Sequence, residues 1–308
     1  MQRSRLLLGE TAGLGPHNVN TLDARHLCTE TFISATIYHP TLETKAHACI
    51  VIVSGFGCGE HSMAAWGPFY ASHGIVAMTI GTPSPYKDFP AQRCQALLDA
   101  VGALQAEHTR AGSLLEGRLA VDRCAVQGWS LGGGAVLLAA LEKPSLKCVI
   151  ALSPHTGNDH RLLGNLTDVV PTLFLVGEKD TVSPAHTFAW PQYRNTAAPS
   201  LIFEIANGDH CAANGPSSGS FPPHMCLPCF FCNVLCAIHC KCVPFPCITM
   251  NWPTGHATKS TTPGAAVGSV ALAFVKSFLL GDDQARPLLQ ARPEIASAFE
   301  MNEGMKRI

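Results

Sequence analysis

An excess of either charge is missing from this chain. Lysine and arginine together number 21, aspartate and glutamate 22, and the formal net charge is −1. Nucleic acid and anionic membrane surfaces select for a basic excess, so neither is an expected partner. A secretory leader is not visible either. Two arginines precede only three leucines in the first ten residues, short of the roughly 7–15-residue apolar stretch such a leader needs. The expectation from this end of the chain is a cytoplasmic protein, unless the N-terminus is incomplete. No internal repeat and no interdomain linker interrupt the pattern, so a single domain is expected over residues 1–308. Cysteine is plentiful, at 14, but it lacks the even spread of a disulfide framework. Seven are scattered (Cys28, Cys49, Cys58, Cys94, Cys124, Cys148 and Cys211) and are expected to be mostly reduced, buried thiols. The other seven lie between Cys226 and Cys247.

Apolar residues make up 47% of the sequence, enough for a sizeable core. Residues 32–39, 48–54, 74–80, 119–127, 147–152, 171–176 and 201–205 are short β-branched or apolar runs that predict strands. Between 91 and 109 the apolar positions Cys94, Leu97, Leu98, Val101 and Leu104 recur at helical spacing. Helices are also predicted over 132–141 and 265–280, with Gly281 where a C-cap glycine belongs. Residues 1–30 read as irregular. Strands alternating with helices imply a mostly parallel central sheet flanked by helices on both faces, the α/β class.

One motif carries chemistry. Gly128-Trp129-Ser130-Leu131-Gly132 is a Gly-x-Ser-x-Gly sequence between a predicted strand and a predicted helix, the setting in which the serine becomes an exposed nucleophile. The helix N-terminus and the Leu131 amide would stabilise a developing oxyanion. A serine hydroxyl needs a base. In this arrangement the acid follows the serine and the histidine follows the acid. Asp180, in Val176-Gly177-Glu178-Lys179-Asp180, follows a predicted strand; Glu178 is its rival and Asp168, before that strand, a poorer one. Among 14 histidines, His210 stands on the loop after the last strand, whereas His186 sits on a predicted helix. Asp209 is expected to be a turn residue. The Gly55-Phe56-Gly57 turn would supply the second oxyanion donor, the Phe56 amide. No metal and no organic cofactor are expected.

These residues together resemble the bacterial cutinase and polyester-hydrolase group (PET-degrading esterases) of the dienelactone-hydrolase-like branch. The similar stretches are Ala35-Thr36-Ile37-Tyr38-His39-Pro40-Thr41, Gly55-Phe56 through Trp66-Gly67-Pro68, Ala71-Ser72-His73-Gly74, Gly128 through Gly134, Pro171-Thr172-Leu173, Asp180 and the His210 loop. The resemblance runs from about residue 32 to 215 and resumes near 262. It implies an α/β-hydrolase fold without a lid domain, an open groove, and a serine carboxylic-ester hydrolase working through Ser130, His210 and Asp180. The implied substrates are small-molecule or polymeric esters, cutin-like polyesters among them, and the implied state is a secreted monomer. Phe56 and Leu131 match the positions that supply oxyanion amides. Two departures stand out. The group usually has Pro-Trp where this chain has Pro154-His155, so His155 takes the substrate-clamping position. Its disulfide pairing is not evident, because Gly177 occupies the place where a partner for Cys211 would be expected. Two other readings remain: a lipid or chlorophyll-type esterase on the same fold, and a non-catalytic hydrolase-like protein inactivated by an insert.

That insert is residues 217–250. Its cysteines run Cys226-x2-Cys229-x2-Cys232-x3-Cys236-x3-Cys240-x-Cys242-x4-Cys247, with His224 and His239 nearby. Thiolates with imidazole suit Zn²⁺ or Cu(I), but structural zinc sites show separated pairs, and this run does not. Cysteines beside phenylalanine and leucine can be acylated. The segment is too rich in proline to form the roughly 20-residue helix that spans a bilayer, and stable membrane insertion is not expected. Its composition resembles translated non-coding sequence, such as a retained intron, with a metal site or an irregular surface loop as the alternatives.

Overall fold

A computed structural model describes residues 13–41, 46–157, 159–163, 170–216 and 263–304. The atypical segment 217–250 lies outside the described residues, as does Asp168.

The strands are β1 (Val19–Asp23), β2 (Ser34–Pro40), β3 (His47–Val53), β4 (Val76–Gly81), β5 (Leu119–Trp129), β6 (Cys148–Leu152), β7 (Thr172–Gly177), β8 (Ser200–Ile205) and β9 (Ala296–Asn302). They form one sheet in the order β1-β2-β4-β3-β5-β6-β7-β8-β9. The six central strands, β4 through β8 in that order, pair in parallel. β1, β2 and β9 run antiparallel at the two edges. The helices are α1 (Trp66–Ser72), α2 (Pro90–Ala106), α3 (Leu131–Glu142), α4 (Ala185–Arg194) and α5 (Pro263–Val275).

The central strands are mostly apolar because both faces are covered; all residues of β3, β4, β6 and β7 are buried. Side chains alternate between the two layers with period two. Cys49, Val51 and Val53 of β3 pack with Leu97 and Val101 of α2 and Val136 and Leu137 of α3. Ile50 and Ile52 pack on the opposite side with Trp66 and Tyr70 of α1 and with Val270 and Phe274 of α5.

Seven strands and three helices fall where the sequence predicts them, within a few residues at each end. Of the stretch 1–30 read as irregular, residues 19–23 form β1, which pairs Val19 with Pro40 and Asp23 with Thr36. It is an edge strand with the polar sequence Val-Asn-Thr-Leu-Asp, so no apolar alternation announces it; its order comes from hydrogen bonds to β2. α1 begins Trp66-Gly67-Pro68, with a glycine that disfavours helix and a proline that its first turn tolerates, and it buries Trp66, Phe69 and Tyr70. The helix predicted over 265–280 changes character, with α5 continuing as a π-helical turn over Lys276–Leu280. Gly281 then closes it with φ 71°.

Every central strand runs toward the same edge. Ser54, Ser130, Ser153, Asp180 and His210 therefore emerge together from β3, β5, β6, β7 and β8, the carboxyl edge where open α/β sheets carry their sites.

α1 is also tied to that edge. The Trp66 indole N–H donates to the Asn214 carbonyl at 3.1 Å, just past His210. Trp66→Phe keeps most of the apolar ring but leaves that buried carbonyl without a donor, so it should lower the free energy of unfolding by about 1–3 kcal/mol. Urea unfolding of both proteins checks this; an unchanged midpoint would show the bond to be dispensable.

Candidate active site

The serine sits at the sharpest corner of the chain. Ser130 follows β5 directly and precedes α3, with φ 58° and ψ −119°, a conformation that costs a non-glycine residue about 1–3 kcal/mol. Neighbouring hydrogen bonds hold it there. Ser130 N–H donates to the Leu152 carbonyl at 2.9 Å, and the Ser130 carbonyl accepts from His155 N–H at 2.9 Å and Gly134 N–H at 3.1 Å. The motif's glycines are needed for close approach. A Cβ at Gly128 would lie 2.1 Å from the Gly132 oxygen, and one at Gly132 would lie 2.7 Å from the Ser54 oxygen. The strand, the helix and the exit of β3 therefore meet backbone to backbone around Ser130.

Asp180 and His210 reach the serine from the next two loops. His210 Nε2 is 3.0 Å from Ser130 Oγ, and His210 Nδ1 is 2.7 Å from Asp180 Oδ2. The other oxygen of Asp180 accepts from Val182 N–H at 2.9 Å and Ser183 N–H at 2.7 Å. One carboxylate thus both organises the turn before α4 and faces the imidazole. The histidine loop is anchored by Trp129, whose indole N–H donates to the His210 carbonyl at 3.0 Å and whose ring centroid is 5.0 Å from the imidazole. All three side chains are buried, between 4% and 6% exposed, so this relay is shielded from bulk water.

The competing residues lie apart. Glu178 is exposed and accepts from Asn207 N–H at 2.7 Å. Asp209 accepts from Cys211 N–H at 2.9 Å, as a turn residue does. His186 is exposed on α4. At Gly177 a Cβ would come within 2.4 Å of the Asp209 oxygen and 2.5 Å of the Gly208 oxygen. The position expected for a disulfide partner of Cys211 is therefore closed to any side chain by the histidine loop itself.

The Phe56 turn passes directly over the serine, and a Cβ at Gly55 would be 2.7 Å from Ser130 Cβ. Gly57 N–H donates to the Pro85 carbonyl at 2.9 Å, with Gly57 at φ 67°. Among the described residues, the amides of Phe56 and Leu131 have no backbone acceptor. An amide without an acceptor is free to meet an oxyanion.

Two contributors were not singled out from the sequence. The first is Arg93 on α2, fully buried. Its guanidinium donates to three carbonyls, those of Ser54, Pro85 and Asp88, each at 2.9 Å. Ser54 precedes the Phe56 turn and Pro85 receives its Gly57 amide, so Arg93 ties that turn to α2. Burial lowers its pKa to about 10, and it remains a cation at neutral pH. The available signal was an arginine on the apolar face of a helix, one residue before Cys94. The second is Phe188 on α4. Its ring stacks on His155 at 4.3 Å between centroids and 29° between planes.

His155 follows Ser153, itself at φ 38°, and its Nδ1 accepts from Gly157 N–H at 3.0 Å. Burial, with the nearby His210 adding to it and Asp180 opposing, pushes its pKa from 6.5 down to about 4. It is thus a neutral aromatic ring at ordinary pH. A second ring pair lies on the Phe56 turn, where Tyr86 meets Phe56 edge-on at 5.6 Å. Among the described residues no group of three or more metal-ligating side chains assembles, and no helix is long and apolar enough to cross a membrane; the cysteines of 217–250 lie outside them.

A mostly parallel sheet with helices on both faces, and a serine held at a strand-to-helix corner on its carboxyl edge, define the α/β-hydrolase fold. A family model described as "PETase: PET hydrolase-like" matches residues 8–221, and the chain belongs to that family. It is 34% identical over 209 residues to Cutinase 1 of Thermobifida cellulosilytica, covering 67% of this chain and 76% of that one. A cutinase of Thermobifida fusca (strain YX) is also 34% identical over 209 residues, covering 67% of this chain and 66% of its own. Lipase 1 of Moraxella sp. (strain TA144) is 31% identical over 208 residues, covering 66% of this chain. The matched stretch spans 61% of that lipase's length.

Two predictions follow from the buried cation and the half-buried imidazole. Arg93→Met leaves the buried Ser54 carbonyl and the half-buried Asp88 carbonyl without the donor Arg93 supplies, while Pro85 keeps the Gly57 amide, and should destabilise the protein by about 2–3 kcal/mol, with Arg93→Lys recovering part of the loss in urea unfolding. For His155, the unfolded chain takes a proton near pH 6.5 but the folded one only near pH 4. Stability is therefore unaffected above pH 6.5 and falls as pH drops to 4, by about 3 kcal/mol in all. His155→Phe should remove that acid-linked component; an unchanged slope of unfolding free energy against pH would place the acid sensitivity elsewhere.

Proposed function

We propose that the chain is a serine carboxylic-ester hydrolase of the cutinase and polyesterase kind. The observation that carries this reading is the continuous buried relay from Asp180 through His210 to the Ser130 hydroxyl, 2.7 Å and then 3.0 Å. The family model and the relatives named cutinase and lipase support ester cleavage as the reaction.

In this mechanism His210 Nε2 takes the proton of Ser130 as its oxygen attacks the ester carbonyl. Asp180 holds the imidazole by Nδ1 in the tautomer that leaves Nε2 free to accept, and it stabilises the cation that forms. The amides of Phe56 and Leu131 receive the oxyanion, a contribution of about 3–4 kcal/mol per donor in comparable sites. His210 then returns its proton to the leaving alcohol. Water, deprotonated by the same imidazole, hydrolyses the acyl-enzyme, and the protein acts as a monomer without a metal or organic cofactor. The aromatic rings of Phe56, Tyr86, His155 and Phe188 favour apolar or aromatic acyl groups over charged ones, in keeping with short or medium acyl esters and polyesters as substrates.

Hydrolysis of p-nitrophenyl esters from acetate to palmitate tests the reading. The expected result is turnover favouring short chains, and a fall in kcat/KM on the order of 10⁴ or more in Ser130→Ala. Stoichiometric labelling of Ser130 by an organophosphonate is expected in the wild type only, because the reagent needs an activated serine. Undiminished activity in Ser130→Ala, or absence of both turnover and labelling in the wild type, would sink the proposal.

A further inference from the structure

A pair of cysteines lies toward the opposite edge of the sheet. Cys49 on β3 and Cys124 on β5 are direct neighbours in the parallel pairing, and their sulfurs are 3.5 Å apart. Both belong to the same apolar layer, at 1% and 5% exposed. Cys49 is enclosed by the core. Cys124 borders a cavity of about 380 Å³, whose walls include Gln105, Asp122, Lys143 and Lys147. Lys147 and Pro171 of that cavity precede β6 and β7, so it opens at the amino edge, away from Ser130.

The two thiols are not equivalent. The Gln105 amide donates to Cys124 Sγ at 3.4 Å, and the Cys49 thiol sits where it can donate to the same sulfur. Those contacts, with Lys143 nearby, favour the Cys124 thiolate and lower its pKa, while burial and Asp122 oppose them. Cys49 is pushed the other way, by giving its proton to that contact and by burial. A thiol that borders a cavity beside a second thiol enclosed by the core is the arrangement in which one cysteine reacts first and the other resolves.

We propose that Cys124 and Cys49 form a thiol–disulfide exchange site, with Cys124 the attacking thiol, Cys49 the resolving thiol, and an anionic low-molecular-weight disulfide as the co-reactant. The Cys124 thiolate attacks one sulfur of the incoming disulfide. A sulfur–sulfur bond forms between them, and the other half leaves as a thiolate that takes a proton from solvent. Cys49 then gives up its proton to solvent, and its sulfur attacks Cys124. The second thiolate leaves, and β3 is joined to β5. In balance, two protein thiols are oxidised and one external disulfide is reduced to two thiols. The lysines at the cavity wall suit an anionic reagent. The sulfurs need to close by about 1.5 Å to reach bonding distance, through side-chain rotation on strands whose backbones are already paired.

The experiment uses the full chain and oxidised glutathione. After timed exposure, remaining thiols are alkylated and peptides are mapped by mass spectrometry. A linked pair of peptides holding Cys49 and Cys124, two hydrogens lighter than their sum, is expected in the wild type. Glutathione should accumulate on Cys124 in Cys49→Ser, and Cys49 should stay unmodified in Cys124→Ser. Lys143→Glu, a surface change that spares the core, should slow modification of Cys124 by about fivefold or more. The rate of Cys124 alkylation in the unaltered protein is a check independent of these variants. If Cys124 reacts no faster than the buried Cys94 and Cys148, if Cys49 is modified first, or if no linked peptide forms, the proposal is overturned.

Discussion

The whole site depends on how closely β3 and β5 approach each other at their carboxyl ends. Glycine at positions 55, 128 and 132 lets the exit of β3 lie against the Ser130 corner with no side chain between them. The strain of a non-glycine residue at φ 58° is held because Ser130 is bonded on both sides, to Leu152 and through His155 and Gly134. Without that contact the serine would relax toward an ordinary helix start. The Phe56 turn would also lose its place above it.

Near this contact the protein holds Asp180 and Arg93 in a water-poor layer by matching both to backbone dipoles. Asp180 is met by two amides and an imidazole. Arg93 is met by three carbonyls. A buried ion without such partners would cost several kcal/mol. The partners here are mostly turn backbone, so these charged groups also set the shape of the turns. That is why Arg93, far from Ser130 in the chain, belongs to the description of the site.

The sheet carries chemistry at both edges for related reasons. Parallel strands bring residues of distant sequence into register, so one pairing aligns Cys49 with Cys124 and Val53 with Gly128. Toward the carboxyl edge the alignment sets the exit of β3 against the Ser130 corner, and toward the amino edge it sets two thiols side by side. His155 marks how this chain differs from its family's usual pattern. An imidazole stacked on Phe188 and held neutral by burial offers a flat aromatic surface smaller than an indole.

The order and class of the central elements were legible in the sequence, because strands buried on both faces must be continuously apolar and a nucleophile corner must be rich in glycine. Ser130 and His210 could be proposed from the motif and the chain order, and the acid narrowed to the loop that holds Glu178 and Asp180. β1, β9 and α1 could not, since edge strands need no apolar alternation and α1 is held by burial of Trp66 against its own propensity. Nor did the sequence distinguish Asp180 from Glu178, which lie two residues apart in one loop; the turn closed by Val182 and Ser183 decides which carboxylate faces the imidazole. Arg93, Phe188, the closed position at Gly177 and the pairing of Cys49 with Cys124 emerge only in three dimensions. Each depends on contacts between segments distant in the chain, and local pattern carries no information about such contacts.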